Sequence, residues 1–524
     1  MTGKRRSSAA NALLVGAGVL LSRLAGFVRE RVFAHYLGNS EAADAFKAAL
    51  RIPNALQNLF GEGALSASFI PVYARLLSEG REEEAKRTAR VVGTLLGLLL
   101  TLLVAVGVLA TPLLIDLIAP GFSGERREMT VRLVRILFPG IGLLVLSAWC
   151  LGILNSHRRF FLPYAAPVVW NGAMIAALVL AGAGSLPYVI AEWTAWGAVA
   201  GSLLQLAVQL PQVSRLAGPL RPALDVRSPH VKTVFSNFIP SVASRGVIQV
   251  ASYVDQVIAS FLPTGAVAAL AYAQTIYLLP VSLFGTSISS AELPELSSGL
   301  AAEGLRERLD VALRRVAFFV VPSAAAFAFL GDRVVALVFQ TGAFRADDVV
   351  HVWTVLVGAS VGLLAGTLGR LYASAFWALH DTRTPLRFAA VRVALGAGLG
   401  ALFAFEGPRL LGVGPRYGLA GLTFGAGLAA WVEMLLLRRA LNARVGRTGL
   451  PVSFSLRVWG AALGAAAAGW GVKAAAGPLG PVLLGALVCG AFAATYGVLV
   501  LLLRVPEASD LVAAVRRRLR RSPG

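Results

Sequence analysis

The sequence contains few of the side chains from which most metal, redox and disulfide sites are built. It has two cysteines and five histidines among 524 residues. Cys150 and Cys489 both lie in apolar runs, which favours small buried residues over a disulfide framework or a metal site. The histidines are dispersed without metal-ligand spacing, and no Gly-rich phosphate loop ending in Gly-Lys-Ser/Thr occurs. We therefore expect no metal, no cofactor, no direct use of ATP and no enzymatic activity.

Charge is scarce as well. Charged residues make up 14% of the chain, against roughly 25% in soluble domains. Hydrophobic residues make up 57%, and the mean hydropathy is +0.72. Apolar runs long enough to cross a hydrocarbon core of ~30 Å recur from end to end. They predict an all-α integral membrane protein with about fourteen transmembrane helices. The predicted spans are centred near Val19, Leu59, Leu100, Leu143, Ile175, Leu203, Ile248, Leu283, Phe327, Leu363, Leu399, Ala429, Ala465 and Ala493.

Acidic residues are rarer than basic ones, with 27 Asp and Glu against 48 Lys and Arg, so the net charge is +21. When loops are assigned alternately to the two sides of the predicted spans, roughly 31 Lys and Arg fall on one side and about 7 on the other. This positive-inside pattern predicts that both termini are cytoplasmic. It also explains the net charge without nucleic acid, which we do not expect as a partner. The basic tail is expected to lie near anionic membrane lipids.

The second half of the chain repeats features of the first. Residues 30–37 resemble residues 255–262, and Pro53 matches Pro280, at an offset of about 225 residues. Because about six predicted spans, an even number, separate the copies, the halves should be parallel. We predict two pseudo-symmetric six-helix lobes around a central cavity, followed by two additional helices and a basic cytoplasmic tail. The corresponding ranges are 1–215, 216–442, 443–506 and 507–524. Bends at the matched prolines suit alternating access.

Polar side chains recur three or four residues apart through the predicted second helix and so share one helix face. This polar stripe consists of Asp44, Lys47, Arg51, Asn54, Asn58 and Glu62. The predicted first helix adds Arg23, Arg29 and Glu30. One Arg near the bilayer centre costs about 2.5–3.5 kcal/mol. So many charges therefore predict a hydrated pathway for a polar or anionic substrate, as in a transporter.

The guanidinium fork matches phosphate oxygens and stays charged when buried. We therefore expect Arg23, Arg29 and Arg51, with Asn54 and Asn58, to bind a substrate such as a pyrophosphate. The other charged residues are expected to hold these arginines or to gate the cavity by ion pairing. They are Glu30, Asp44, Lys47 and Glu62. The alternative is a set of static salt bridges that only fixes helix packing.

The predicted seventh helix carries Arg245 and Asp255 near one face. An acid at membrane depth is a candidate site for a coupling cation or proton. The alternative is that Asp255 serves as an ion-pair partner of Arg245 or Arg370, and the sequence favours neither.

Several of these residues fall in motifs that resemble the lipid II flippases of the MurJ (MviN) type, which share a superfamily with multidrug extruders and polysaccharide flippases. The opening motifs are Ser22-Arg23-x-x-Gly26-Phe27-x-Arg29-Glu30, Ala43-Asp44-Ala45-Phe46, Arg51-Ile52-Pro53-Asn54 and Phe60-x-Glu62-Gly63-Ala64. The likeness extends over nearly the whole chain. Later examples are Ala119-Pro120-Gly121-Phe122 and Asp381-Thr382-Arg383-Thr384-Pro385.

The resemblance implies a flippase that moves lipid II, the undecaprenyl-pyrophosphate-linked disaccharide pentapeptide, from the inner to the outer leaflet of the bacterial plasma membrane. That step serves peptidoglycan synthesis, cell-wall biogenesis and cell shape. The resemblance also implies a cavity for the headgroup and a groove for the lipid tail along the last two helices. Family members rely on positions matched here by Arg23, Arg29, Asp44, Arg51 and Glu62. Membrane potential or a coupling cation would drive transport, and the cell-wall synthesis machinery is a further expected partner.

The chain departs from the family pattern at several positions. Gln57-Asn58 stand where the family often has two arginines, and Gln274-Thr275 stand where it often has Asp/Asn-Arg. Gln256 replaces a frequent Arg. Positive charge in the second lobe is thereby reduced, and we expect Arg245 to compensate. The eleventh predicted helix also lacks the Asn or Asp expected to complete a sodium site.

Several other functions remain open. The missing arginines favour a flippase for another polyprenyl-pyrophosphate-linked oligosaccharide. A drug/cation antiporter would be expected to use acids more than arginines and to have fewer spans. A membrane-embedded glycosyltransferase would need clustered acids and a substantial extramembrane loop, and the sequence shows neither. A non-transporting scaffold for the cell-wall machinery is the remaining alternative.

Overall fold

The computed structural model describes residues 2–182, 184–219, 221–225, 227–289 and 302–520. Within these ranges, the side chains of 2–13, 62, 243–252, 286, 302 and 514–520 are not described. Regular structure over the described ranges is helical. The prediction of an all-α integral membrane protein is confirmed.

The helices divide into those before and those after residue 265. The earlier ones are α1 (Thr2–Leu37), α2 (Glu41–Phe60), α3 (Glu62–Ser78), α4 (Glu82–Ile118), α5 (Gly124–Ser156), α6 (Phe161–Ala165), α7 (Pro167–Gly182), α8 (Pro187–Ala217) and α9 (Pro229–Ser260). The later ones are α10 (Ala266–Pro280), α11 (Ala302–Phe339), α12 (Ala346–Ala378), α13 (Arg383–Phe405), α14 (Gly407–Leu411), α15 (Gly418–Val445), α16 (Val452–Ala475), α17 (Pro481–Leu502) and α18 (Pro506–Arg520).

Nine helical segments among the described residues are long and apolar enough to cross a membrane. They are Glu82–Ile118, Gly124–Ser156, Phe161–Gly182, Ala266–Ser289, Glu303–Phe339, Ala346–Ala378, Arg383–Phe405, Pro415–Val445 and Pro481–Leu502. The predicted spans near Val19, Leu59, Leu203, Ile248 and Ala465 lie on helices outside these nine. The count of fourteen therefore stays a prediction.

The predicted second helix is broken at Gly61. The Gly61 backbone leaves the helical region (φ −85°, ψ −133°), and its N–H donates to the Gln57 carbonyl at 2.7 Å. A Cβ at this position would lie 2.4 Å from the same carbonyl oxygen, which only glycine avoids. Glu62 therefore begins α3 instead of ending α2. The prediction of one uninterrupted polar stripe from Asp44 to Glu62 on one helix is wrong.

The two matched prolines lie in different local structures. Pro53 is buried within α2, which continues to Phe60. Pro280 ends α10 and is followed by a π-helical turn over Val281–Thr286. Because proline removes a backbone donor, it weakens the α-helical hydrogen-bond ladder, and π-helical turns accommodate such an interruption. The predicted distortion is thus present at Pro280.

The chain forms two compact units. The first comprises Met1–Ala268 and Thr341–Ala343, and the second comprises Ala269–Gln340 and Phe344–Gly524. In the first, α5 packs against α2, α4 and α8, and α9 packs against α3. In the second, α15 packs between α12 and α13, while α16 and α17 pack on each other and on α11. The predicted lobe boundaries were drawn from the sequence repeat and stay a prediction.

Candidate functional site

A polar cavity of about 640 Å³ lies within the first unit. A second cavity of about 290 Å³ shares several wall residues with it, so we treat the two together as the polar cavity. The shared residues are Ser22, Gln57, Leu144, Pro167 and Gln205. Arg23 and Asn58 line the larger part, and Arg29 and Asn54 line the smaller part. Four of the predicted substrate-binding side chains therefore border the polar cavity.

Arg29 is held in place by a carboxylate and an aromatic ring. Its Nη2 lies 2.7 Å from Glu30 Oε1, and its guanidinium lies over the Trp170 ring, 4.9 Å from the centroid. Glu30 Oε2 also accepts from Lys47 Nζ, and that ammonium lies 4.2 Å from the Phe33 centroid. Two cations thus share one carboxylate beside the cavity. All three side chains are largely buried, at 15%, 11% and 8% exposure for Arg29, Glu30 and Lys47.

Arg51 is positioned by the helix that carries Asp255. The Tyr253 hydroxyl donates to the Arg51 carbonyl at 3.2 Å, and the Arg51 guanidinium lies 5.8 Å from the Tyr253 ring centroid. Asp255 is close enough to Arg51 to attract it electrostatically. Arg51 was not one of the two partners predicted for Asp255. The pairing of Asp255 with Arg245 or Arg370 stays a prediction, and the Arg245 side chain lies outside the described residues. Arg245 itself lies within α9.

Asp44 is fully buried and accepts backbone hydrogen bonds. Its Oδ2 accepts the Gly265 N–H at 2.6 Å and its Oδ1 accepts the Ala268 N–H at 2.7 Å. These N–H groups lie at the start of α10, where no helical carbonyl is available to them. Arg126 Nη1 lies 3.5 Å from the same carboxylate. This geometry gives Asp44 a structural role, and its predicted part in gating stays a prediction.

The remaining predicted residues lie on both sides of the break at Gly61. Asn54 and Asn58 are exposed on α2 and border the polar cavity. Glu62 is the first residue of α3, and its side chain lies outside the described residues.

The sequence analysis missed a set of polar side chains on α5, α7 and α8. Gln205 Nε2 and Gln209 Nε2 donate to Ser147 Oγ at 3.0 and 2.6 Å, and Ser147 and Gln205 line the polar cavity. Asn171, also at the wall, donates to the Pro167 carbonyl at 2.9 Å. Its buried Oδ1 has no hydrogen-bond partner among the described residues. Two features of the sequence could have identified these residues. Amides are rare at membrane depth, and the two glutamines are four residues apart and so share a helix face.

A multi-span helical chain with a polar cavity that is bordered by two arginines, one of them largely buried and held by an ion pair, has the structure of a membrane transporter. A family model described as "Lipid II flippase MurJ" matches residues 33–493. The chain belongs to this family, whose members are transporters and not enzymes. It is therefore a multi-pass membrane protein.

Relatives in two bacteria support the assignment. A protein of Rhizobium tropici, "Probable lipid II flippase MurJ", is 33% identical over 439 residues, which are 82% of this chain and 80% of the relative. "Lipid II flippase MurJ" of Burkholderia cenocepacia is 33% identical over 442 residues, covering 82% of this chain and 83% of that one.

Solved structures agree at the level of the fold. "Lipid II flippase MurJ, inward closed conformation" matches with a TM-score of 0.76 at 24% identity, over 95% of this chain and all of that chain. An inward-facing multidrug resistance MATE family transporter of the MOP superfamily matches with a TM-score of 0.62 at 19% identity, over 82% of this chain and 98% of that one. The family resemblance seen in the motifs is confirmed.

Proposed function

We propose that this chain moves lipid II from the inner to the outer leaflet of the bacterial plasma membrane by alternating access, as a step in peptidoglycan synthesis. The observation that carries the proposal is the Arg29 guanidinium, fixed by Glu30 and Trp170 at the wall of the polar cavity. Membership of the lipid II flippase MurJ family supports the choice of substrate.

The chemistry of the cavity suits a pyrophosphate headgroup. Arg29 lies at the cavity wall and is largely buried, so an incoming anion would meet a fixed guanidinium in a poorly hydrated site. The Asn54 and Asn58 amides and Arg23 at the same walls can donate hydrogen bonds to phosphate or sugar oxygens. Glu30 bridges the arginine and the lysine and offsets their mutual repulsion while no substrate is bound.

The remaining parts of the proposal come from the sequence and from the family. The loop charges support cytoplasmic termini. Asp255, next to Arg51, is the candidate site for a coupling cation or proton. A groove along α16 and α17 would take the lipid tail, and the cell-wall synthesis machinery would receive the flipped substrate.

The test uses a bacterium depleted of its own lipid II flippase. The parent chain, Arg29→Ala and the control Arg159→Ala are expressed, and lipid II accessible at the outer leaflet is quantified. Arg159 is exposed between α5 and α6 and is not among the residues that line the polar cavity. We expect the parent and the control to restore outer-leaflet lipid II and Arg29→Ala to fail. Full activity of Arg29→Ala would refute the cavity mechanism.

The second candidate is a flippase for another polyprenyl-pyrophosphate-linked oligosaccharide. Gln57 and Asn58, which stand where the family often has arginines, line the polar cavity. These two uncharged side chains therefore make the wall that would contact the headgroup less positive than two arginines would. This candidate would be established by two results together. The parent chain would be inserted and folded but restore no lipid II at the outer leaflet, and it would flip a different lipid-linked oligosaccharide in reconstituted vesicles.

A further inference from the structure

A second group of charges lies inside the second unit, on helices that the sequence analysis did not connect. Arg370 lies on α12, Arg392 on α13, Glu433 on α15 and Tyr277 on α10. Arg392 Nη1 is 3.0 Å from Glu433 Oε2. Arg370 and Arg392 are close enough to repel each other, and both act electrostatically on Tyr277. We call these four residues the second-unit cluster.

The second-unit cluster lies well inside the helices and away from their ends. Arg370 lies about 12 Å from the end of α12, Arg392 about 14 Å from the start of α13, and Glu433 about 18 Å from the end of α15, at ~1.5 Å per residue. These helix ends lie on the same side, because Arg444 near the end of α15 pairs at 2.6 Å with Asp381 in the α12–α13 turn. The cluster is therefore at membrane depth, where unmatched charge is costly.

The cluster has more donors than acceptors. Two guanidinium groups face one carboxylate, and Glu433 is largely buried while Arg392 is 42% exposed. Arg370 is exposed, and its guanidinium makes no hydrogen bond or ion pair with any side chain or carbonyl that the structure describes. The Tyr277 hydroxyl likewise has no hydrogen-bond partner in the described part of the chain. Donors at this depth without a protein acceptor among the described residues indicate a place for an acceptor-rich anion.

We propose that Arg370 and Arg392, with the Tyr277 hydroxyl, form a second anion-binding site that takes a phosphate or pyrophosphate group. Glu433 orients Arg392 and sets the net charge of the site. The inference rests on the proposed function, because the anion would be the pyrophosphate of the lipid carrier.

The experiment measures binding to the purified full chain in lipid nanodiscs, with inorganic pyrophosphate and undecaprenyl pyrophosphate as probes. Arg370→Ala and Arg392→Ala are each expected to weaken binding of both probes roughly tenfold, since each removes charge-assisted hydrogen bonds. Arg370→Lys keeps the charge and is expected to retain part of the affinity. Arg387→Ala, on an exposed position of α13, is the control and should bind like the parent.

Glu433→Gln separates binding from a structural role. Removal of the carboxylate leaves two cations without an acid, so binding of both probes should tighten. A static packing cluster predicts lower thermal stability and no gain in affinity. Parent-like affinities in Arg370→Ala and Arg392→Ala, or unchanged affinity in a folded Glu433→Gln, would overturn the site.

The two proposals fail differently. If the parent chain does not restore lipid II in the depleted bacterium but binds inorganic pyrophosphate through Arg370, the anion site stands and the lipid II assignment fails. If the parent restores lipid II and Arg370→Ala does so equally well with unchanged affinity, the assignment stands and the anion site fails.

Discussion

Replacement of Glu30 by Gln tests how the buried charges of α1 and α2 are balanced. Glu30 accepts from both Arg29 and Lys47, and all three side chains are largely buried. Breaking a buried ion pair by removing one partner typically costs about 3–5 kcal/mol, because the other charge stays buried without compensation. Here one substitution removes the carboxylate from two cations. We therefore expect Glu30→Gln to lose about 3–5 kcal/mol of the free energy of unfolding.

The assay is unfolding of the purified chain by SDS titration in mixed micelles, followed by tryptophan fluorescence. Glu79→Gln is the matched control, because Glu79 also pairs with two cations, Arg75 and Arg81, but all three are exposed. Exposed pairs contribute about 0–1 kcal/mol, so this control should unfold close to the parent. If Glu30→Gln and Glu79→Gln both lose the same small amount of the free energy of unfolding, the charges of Glu30, Arg29 and Lys47 are hydrated. That result would refute the argument from burial.

A double variant sharpens the result. Lys47→Met removes one of the two cations and replaces it with an apolar side chain beside Phe33. In the Glu30→Gln background, Lys47→Met is expected to recover part of the lost stability, since one cation that has lost the Glu30 carboxylate remains instead of two. Further destabilisation by the second substitution would mean that Lys47 has its main partner elsewhere.

Three further predictions follow from single residues. Asp44→Asn replaces the carboxylate that accepts from Gly265 and Ala268 with an amide. Thermal unfolding should show that the free energy of unfolding falls by about 1.5–3 kcal/mol. A parent-like melting temperature would contradict the role of Asp44 at the start of α10. Gly61→Ala places a Cβ 2.4 Å from the Gln57 carbonyl, so the melting temperature should fall. Gly80 has a positive φ but open space around it, so Gly80→Ser should lower the melting temperature less. The Thr384 backbone N–H and hydroxyl, with Arg444, hold the pKa of Asp381 below its ordinary value. The contribution of Asp381 to stability is therefore present above about pH 4 and is lost as the pH falls further. Asp381→Asn should lower the free energy of unfolding at neutral pH and leave it unchanged in strong acid.

The cavity residues on α1 and α2 were predictable because their signal is local. Arg23 and Arg29 stand out as charges in an apolar run, and Asn54 and Asn58 repeat at helical spacing. A side chain that repeats every three or four residues needs no knowledge of the rest of the fold to be assigned to one face. The structure brings these four residues to the walls of one cavity.

Other parts of the site depend on distant contacts that periodicity does not encode. Asp44 obtains its backbone partners from residues more than two hundred positions later. Ser147 and Gln205 meet across two helices, and the spacing within either helix does not show which residue on the other helix is the partner. The break at Gly61 was missed because a glycine inside an apolar run is tolerated in many helices, and only the local backbone angles distinguish the cases.

The interruption at Gly61 also has an electrostatic consequence that does not depend on any side chain. Because α3 begins at Glu62, its first amide groups are not used by helical carbonyls, and Gly63 at this end lines the polar cavity. A helix N-terminus carries roughly half an elementary positive charge from its aligned peptide dipoles. This partial charge does not titrate and survives every arginine-to-alanine substitution. Anions should therefore still be attracted to the cavity in such variants, with lower affinity and without the fixed geometry that the guanidinium groups provide.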